Sequence, residues 1–538
     1  MRLPAFVTDV TDDRPAFRVL VAACVAILAA GLDPKVLDPG MPDVRAALRA
    51  APDLQSLILI GVVVSSAFLI VGGVVSDMLR DSRLLNAGLA LFVVSSTMAI
   101  LMPSGPGLLL SRAVAWVAAG LVIPFSIGSV ARAYGGATRA TALGLVYAVM
   151  GGATAAAPAL ALAQGVEGGR WPAFLACAVM SVVALVVVRG RLPDLPGASL
   201  SERPWQAVIG LWAFGITALV AGLLSVGRID LIRVGVVLGA VVMLVIAALL
   251  SRRLRRAGST APVDIRAVAV VLAVGVVVGF AQVAPTLQLP MFFQFVEDFP
   301  PLLATAAIAP FVLALLLAGP ISGILLARFQ PRVLVAAGLV AMGIADVLVS
   351  IVIARGAPYL AFVAPFALIG AGFVIATTVR TAIIFASVPR GLPATAAALN
   401  EASVGVGSRV GVTVVTLIAI TVAASTYQDS LAGVAPDVAA RMLADFQDVV
   451  ALIGMPGFVQ TVQGIDAAIR PEYNEAVVQG LRMSHLIPGL VALVAGVIAY
   501  LALGRRDPVR SVFDYADERS RQQPPVATAD GPAGPSRG

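Results

Sequence analysis

Long apolar runs separated by short polar breaks dominate the chain between residues 16 and 503. Crossing about 30 Å of hydrocarbon as a helix takes ~20 residues, because each residue advances the helix by only about 1.5 Å. About fourteen runs meet that length, at 16–34, 54–76, 84–103, 107–131, 138–164, 172–188, 207–227, 232–251, 267–287, 303–327, 333–354, 358–386, 396–424 and 484–503. The pattern predicts an all-α membrane protein with 14 transmembrane helices. An even number places both termini on one side. Arg80 with Arg83, Arg132 with Arg139, Arg189 with Arg191, and the group Arg252, Arg253, Arg255 and Arg256 all fall in breaks on that side. Basic residues stay with the cytoplasm, so both termini are expected to be cytoplasmic, in a bacterial plasma (inner) membrane. Small residues Ala29, Ala30 and Gly31 give the first run the look of a cleaved signal, but the runs that follow need none, so it is read as a retained helix.

Composition narrows the class. Of 538 residues 59% are hydrophobic and 12% charged, against about 25% charged in an ordinary soluble domain. That leaves too few polar groups to cover a water-facing surface, so the exterior faces lipid. The net charge of +7 is spread singly through short breaks and forms no stripe of the kind that binds nucleic acid. Cys24, Cys177 and the single histidine, His485, supply neither a disulfide framework nor a metal site, and no cofactor is expected. Neither a HExxH helix nor a Walker loop is present, which argues against an enzyme and against ATP-driven transport.

Two regions depart from the helical runs. Residues 425–483 form a long outer segment in which Val438, Met442, Phe446, Val449 and Val450 recur near helical spacing, the pattern of a surface amphipathic helix or of a packed surface loop. The tail 504–538, with Pro524, Pro525, Pro532 and Pro535, has no apolar periodicity and is expected to be disordered. A faint repeat is also present: GVVSDMLRDSR (73–83) and GILLARFQPR (323–332) each set a glycine before a basic break. The expected organisation is a cytoplasmic tail (1–15), a six-helix half (16–188), two inserted helices with flanking loops (189–266), a second six-helix half with the outer segment (267–503), and the final tail. Repeated halves around a central site are the usual plan of a secondary transporter, and two halves already enclose a site, so a monomer is expected.

Motifs in order along the chain resemble the major facilitator superfamily, specifically its fourteen-helix drug/proton antiporter branch. LDPKVLDPGMPDV (32–44) is similar to the branch signature at the end of helix 1, with Asp33 on the signature aspartate and Lys35 and Asp38 replacing its usual Thr and Asn. Gly73 and Asp77 match the loop between helices 2 and 3, where the resemblance implies that the aspartate pairs with basic groups at neighbouring helix ends; Arg83 follows, and Arg328 and Arg332 stand in the second copy. Arg112 precedes Pro124 by twelve residues, as in the helix-4 motif. GGATAAAPALALA, with Gly151, Gly152 and Pro158, resembles the antiporter motif of helix 5. LPMFFQF from Leu289 and NEASVGVGSRVGV from Asn400 are similar to helices 9 and 13. The resemblance implies a major facilitator fold exporting hydrophobic or cationic small molecules in exchange for protons. Export of an endogenous metabolite or lipid-like compound, and a non-transporting membrane sensor, stand as alternatives.

A charge inside a spanning helix is costly and faces a partner or a water-filled cavity. The candidates are Asp33, Arg112, Asp346, Arg380, Glu401 and Arg409. Asp33, beside Pro34, is the first expected proton carrier; capping or kinking the helix end is its structural alternative. Arg112 is expected either to stabilise a nearby carboxylate or to tie helices together. Asp346 and Arg380 are expected to pair across adjacent helices, failing which Asp346 is a second proton or cation site. Glu401 is a coupling candidate that also falls near the cytoplasmic interface. The glycines and Pro158 of the fifth run allow close packing and bending during rocking between states. Phe292, Phe293, Phe295 and Trp116 fit either a drug cavity or, as is commoner for aromatic residues in spans, a lipid-facing or core position.

Overall fold

The computed structural model describes residues 13–32, 68–78, 83–102, 105–163, 171–189, 208–212, 215–216, 219, 231–256, 265–388, 392–432, 435–450 and 470–503. Asp33 with its signature stretch, Arg80, most of the run at 207–227, residues 451–469 and both tails lie outside the described residues. The described residues form sixteen principal helices. They are α1 (Arg14–Leu32), α2 (Phe68–Met78), α3 (Arg83–Leu101), α4 (Gly105–Ala133), α5 (Gly136–Ala163), α6 (Trp171–Val188), α7 (Leu231–Arg256) and α8 (Ile265–Ala281). Then follow α9 (Leu289–Phe295), α10 (Pro301–Ala306), α11 (Ala309–Arg328), α12 (Pro331–Val352), α13 (Leu360–Ser387), α14 (Pro393–Ser430), α15 (Pro436–Val450) and α16 (Arg470–Ala502). Among them ten stretches are long and apolar enough to cross a membrane, and α2 and part of α6 are shorter apolar helices. The expected count of fourteen is not reached within the described residues, partly because the runs at 54–76 and 207–227 fall largely outside them.

Proline and glycine set the joints. Pro331 and Pro393 open α12 and α14, where a missing N–H costs no helical hydrogen bond. Pro124, Pro320, Pro365 and Pro488 lie inside helices, as membrane helices tolerate when neighbours cover the loosened backbone. Helices α1, α3, α4, α5 and α6 pack on one another, and α8, α11, α12, α13, α14 and α16 form a second group; α5 against α11 and α4 against α14 join the two. At the first of these joints Gly144 and Gly319 meet backbone to backbone: a Cβ on Gly144 would lie 2.1 Å from the Gly319 carbonyl oxygen. Small residues at such crossings let helices approach where lipid supplies no hydrophobic drive. Gly151 and Gly152 continue the seam outward, receiving Leu315 and Leu316. Pro158 lies further along α5.

Helical structure enters the 425–483 segment from both ends. Helix α14 runs on to Ser430 and α16 begins at Arg470, so both spans extend into what was read as a connecting segment from 425 to 483. The amphipathic helix between them is α15, which docks by its apolar face: Phe446 is buried, stacked on Tyr427 with centroids 4.3 Å apart and edge-on to Tyr473 at 4.7 Å. Asp437 and Arg441 lie on its exposed side. Phe292 and Phe293 belong to the core, packed among Phe299, Tyr359, Phe362 and Phe366, so of the two readings of these aromatic residues the core reading holds.

Candidate functional site: a buried polar network between helix groups

Four side chains that an apolar bundle should exclude meet where α5 faces α13 and α14. Tyr147 of α5 donates from its hydroxyl to Oε1 of Glu401 on α14, at 2.9 Å. Asn400 Nδ2 donates to the Tyr147 oxygen at 3.1 Å and to Thr381 Oγ1 of α13 at 2.7 Å, and lies 3.4 Å from Glu401 Oε1. Arg380 of α13 donates through Nη1 to the Asn400 carbonyl at 3.1 Å and to Ser403 Oγ at 3.0 Å; its Nη2 stands 4.0 Å from the Glu401 carboxylate. Gly275 of α8 makes room for this guanidinium, since a Cβ there would lie 2.3 Å from Nη1. Glu401 is eight residues beyond Pro393, about 12 Å along the helix axis from the start of α14.

The network is incompletely satisfied. Arg380 Nε and Nη2 and Asn400 Oδ1 are buried without a hydrogen-bond partner among the described residues. Such groups cost more in a low-dielectric interior than at a surface. Glu401 is the accessible member: its side chain is 10% exposed and that of Arg380 0%. A carboxylate there can exchange a proton or meet a ligand, and its state is felt on both helix groups through Tyr147. The pairing of Asp346 with Arg380 expected from sequence is not made. Arg380 turns to Glu401 and the α14 backbone, while Asp346 on α12 faces His485 on α16, with Oδ1 and Nδ1 3.4 Å apart. The error has a local cause. Polar residues Glu472, Asn474, Glu475 and Arg482 delayed the apparent start of the last span to 484 and put His485 at its edge, whereas the helix begins at Arg470 and buries it.

A second acid joins the groups at the end of the bundle that carries Arg132. Asp77 of α2 is fully buried and accepts hydrogen bonds from the backbone N–H of Ala394 at 3.0 Å and Thr395 at 2.6 Å, while Arg132 Nη2 lies 2.7 Å from it. The first turn of α14 has no side-chain cap of its own. Asp77 therefore serves as an N-cap supplied by another helix, meeting two orphan donors and the positive end of the helix dipole. Gly73, one turn earlier, lets the helices touch: a Cβ there would lie 2.5 Å from Ala398 Cβ. Pairing of the aspartate with a basic group was legible in the sequence; capping of α14 was not. Arg83 opens α3, and Arg328 closes α11 on an exposed position.

Other expected residues sit apart from the network. Arg112 lies between α4, α3 and α6, donating to Ser95 Oγ at 3.2 Å and covering the Phe174 ring at 5.2 Å. Arg409 lies two turns beyond Glu401 on α14, its buried Nε without a hydrogen-bond partner among the described residues. Tyr147 and His485 had no place among the charged candidates, because a census of charges passes over neutral hydroxyl and imidazole groups. Among the described residues no cluster of His, Cys, Asp and Glu is suited to a metal ion.

A family model described as Major Facilitator Superfamily matches residues 23–412. The chain belongs to the Major Facilitator Superfamily. It is a transporter and not an enzyme, and superfamily relatives share much of its length. The tetracenomycin C resistance and export protein of Streptomyces glaucescens is 23% identical over 526 residues, 94% of either chain. The multidrug efflux pump LfrA of Mycolicibacterium smegmatis is 25% identical, covering 74% of this chain and 79% of that one. The match to the methylenomycin A resistance protein of Bacillus subtilis is local, 26% identical over 38% of this chain and 45% of the relative. Among solved superfamily structures, a bacterial homolog to the human lysosomal transporter Spinster, in an inward-facing and unoccupied conformation, aligns with a TM-score of 0.56 at 14% identity, over 91% of this chain and 97% of that one.

Proposed function

We propose that the chain is a proton-coupled antiporter that exports hydrophobic or cationic small molecules, drugs among them, across a bacterial plasma membrane. The hydrogen bond from Tyr147 to Glu401 carries this reading: it joins a titratable acid of one helix group to a neutral donor of the other. With Glu401 ionised, Tyr147 and Asn400 point donors at it and a cationic ligand gains a counter-charge. Protonation removes the charge and weakens both interactions. A ligand and a proton that favour opposite states of one carboxylate are coupled by linkage, whatever path connects them. Relatives named for antibiotic resistance and multidrug efflux support the substrate class. Asp33, the first expected carrier, keeps a parallel claim. Within this reading the halves are 16–188 and 267–503 with 189–266 inserted, both termini are cytoplasmic, and the working unit is a monomer.

The test is dye or drug transport by the purified full-length protein in liposomes under an imposed pH gradient, comparing native protein with Glu401→Gln and Asp33→Asn. Gradient-driven transport by native protein, lost in Glu401→Gln with substrate exchange retained, is the expected result. Native activity without any dependence on the gradient overturns proton coupling. Loss in Asp33→Asn alone moves the coupling site to helix 1.

A further inference from the structure

The transport reading leaves one buried titratable cluster unused. Asp346 on α12 and His485 on α16 are both 0% exposed, with Oδ1 and Nδ1 3.4 Å apart, and neither Oδ2 of the acid nor Nε2 of the imidazole has a hydrogen-bond partner among the described residues. The helices that hold them cannot part easily. Gly343 and Gly489 cross backbone to backbone beside the pair, and a Cβ on Gly489 would meet Asp346 Cβ at 3.1 Å. A net charge held there, out of contact with solvent, is costly, so the pair is most stable as a unit when its total charge is zero.

Charge balance fixes what that unit holds. An aspartate and a neutral imidazole together carry one negative charge; one added proton brings the total to zero, as imidazolium with carboxylate or as imidazole with carboxylic acid. A second proton would leave one positive charge. Of the other charges on the surrounding helices, Arg380 of α13 turns to the Glu401 network. Arg332, near the start of α12, lies over Tyr500. Arg482, one turn before His485, donates to the Ile353 carbonyl at 2.7 Å. On α14 Glu401 belongs to the Tyr147 network, Arg409 lies eight residues further along, and Asp429 lies near the far end. Arg266 is at the first turn of α8. Glu472 and Glu475 lie at the beginning of α16, more than two turns from His485. No other titratable side chain among the described residues makes a hydrogen bond or ion pair with either group.

A mechanical link leads out of the pair. Ser484, next to His485, bonds through its hydroxyl to Oε1 of Gln288, and Gln288 Nε2 donates to the Val415 carbonyl of α14 at 3.3 Å. Gln288 ends a π-helical turn, Ala284–Gln288, between α8 and α9. Such turns carry one extra residue against their α-helical neighbours and commonly mark functional sites.

We propose that Asp346 and His485 form a single proton-binding site within the second helix group, separate from the Tyr147–Glu401 network and linked through Ser484 and Gln288 to the π-helical turn. This deepens the proton-coupled reading, yet its test does not depend on transport. His485 is the sole histidine of the chain, so histidine labelled with 15N in the imidazole reports this one ring by NMR in the full-length protein in lipid nanodiscs, without subtraction. The expected result is a pH response of the ring signal that moves by at least tenfold in proton concentration in Asp346→Asn, while Glu401→Gln leaves it in place. No pH response of the ring, or one indifferent to Asp346→Asn, overturns the proposal. If Asp346→Asn fails to fold, the carboxyl stretch of native protein is followed by infrared spectroscopy against native and His485→Gln chains: a band whose pH response changes in the variant supports the shared proton, and an unchanged one overturns it. Should liposome transport prove independent of the pH gradient while the ring titrates as expected, the coupled-antiport reading fails and the proton site stands.

Discussion

Asp77 and Glu401 are both buried acids that tie the two helix groups together, and they are built for opposite tasks. Asp77 has strong partners on both oxygens: two backbone N–H groups at a helix N-terminus and an arginine at 2.7 Å. Glu401 has one tyrosine hydroxyl at 2.9 Å and the Asn400 amide at 3.4 Å, both on one oxygen, with its arginine held at 4.0 Å by other commitments to Asn400 and Ser403. The first arrangement engages both carboxylate oxygens and acts as a lock. The second holds its carboxylate more loosely, which a switch requires. Residue type is shared, and the neighbours decide the role.

Breaking the lock should have the largest effect. Asp77→Ala leaves two helix N–H groups without their acceptor and takes the carboxylate away from Arg132, and removal of one partner of a buried pair costs about 3–5 kcal/mol; thermal unfolding in detergent should fall accordingly, and a cysteine reporter at the Arg132 end should become more reactive. In Glu401→Gln the fold should persist while coupling between proton and substrate disappears, a term of about 1–3 kcal/mol or roughly 5- to 150-fold in affinity; substrate binding measured at two pH values should lose its pH dependence. Tyr147→Phe removes a single neutral donor worth about 1 kcal/mol, so transport should decline about fivefold with its pH response shifted and not abolished. The exposed pair between Arg441 and Asp437, at 3.4 Å on the surface of α15, gives the lower bound: Arg441→Ala should change stability by under ~0.5 kcal/mol. If Asp77→Ala proved as mild as Arg441→Ala, the distinction between lock and switch would collapse.

Much of the fold was legible because membrane insertion writes it in long apolar runs, and the family followed from motifs that hold their order even where individual residues depart. Helix ends were less legible. Arg482 looked like a residue outside the membrane, but its guanidinium reaches the Ile353 carbonyl at the end of α12 from within α16. The site was half visible. Glu401, Asp346 and Arg380 stand out as charges in apolar runs, but which acid meets which base depends on helix rotation, and a one-residue change rotates a side chain by about 100°. That uncertainty produced the expected pairing of Asp346 with Arg380, where each in fact turns to a different helix. Asp77 shows the opposite case: the family resemblance of a short motif implied its pairing with a basic residue, and Arg132 is that partner.

The contact of Gly144 with Gly319 has a mechanical consequence. Interlocking side chains behave like gear teeth, so helices joined by them move only by unpacking one tooth before seating the next. At this crossing two bare backbones meet with no side chain between them, while Leu315 and Leu316 seat against Gly151 and Gly152 further along the same seam, so α5 turning against α11 meets teeth there and none at the crossing itself. A transporter pivoting at the crossing would find its resistance in the contacts on either side of it.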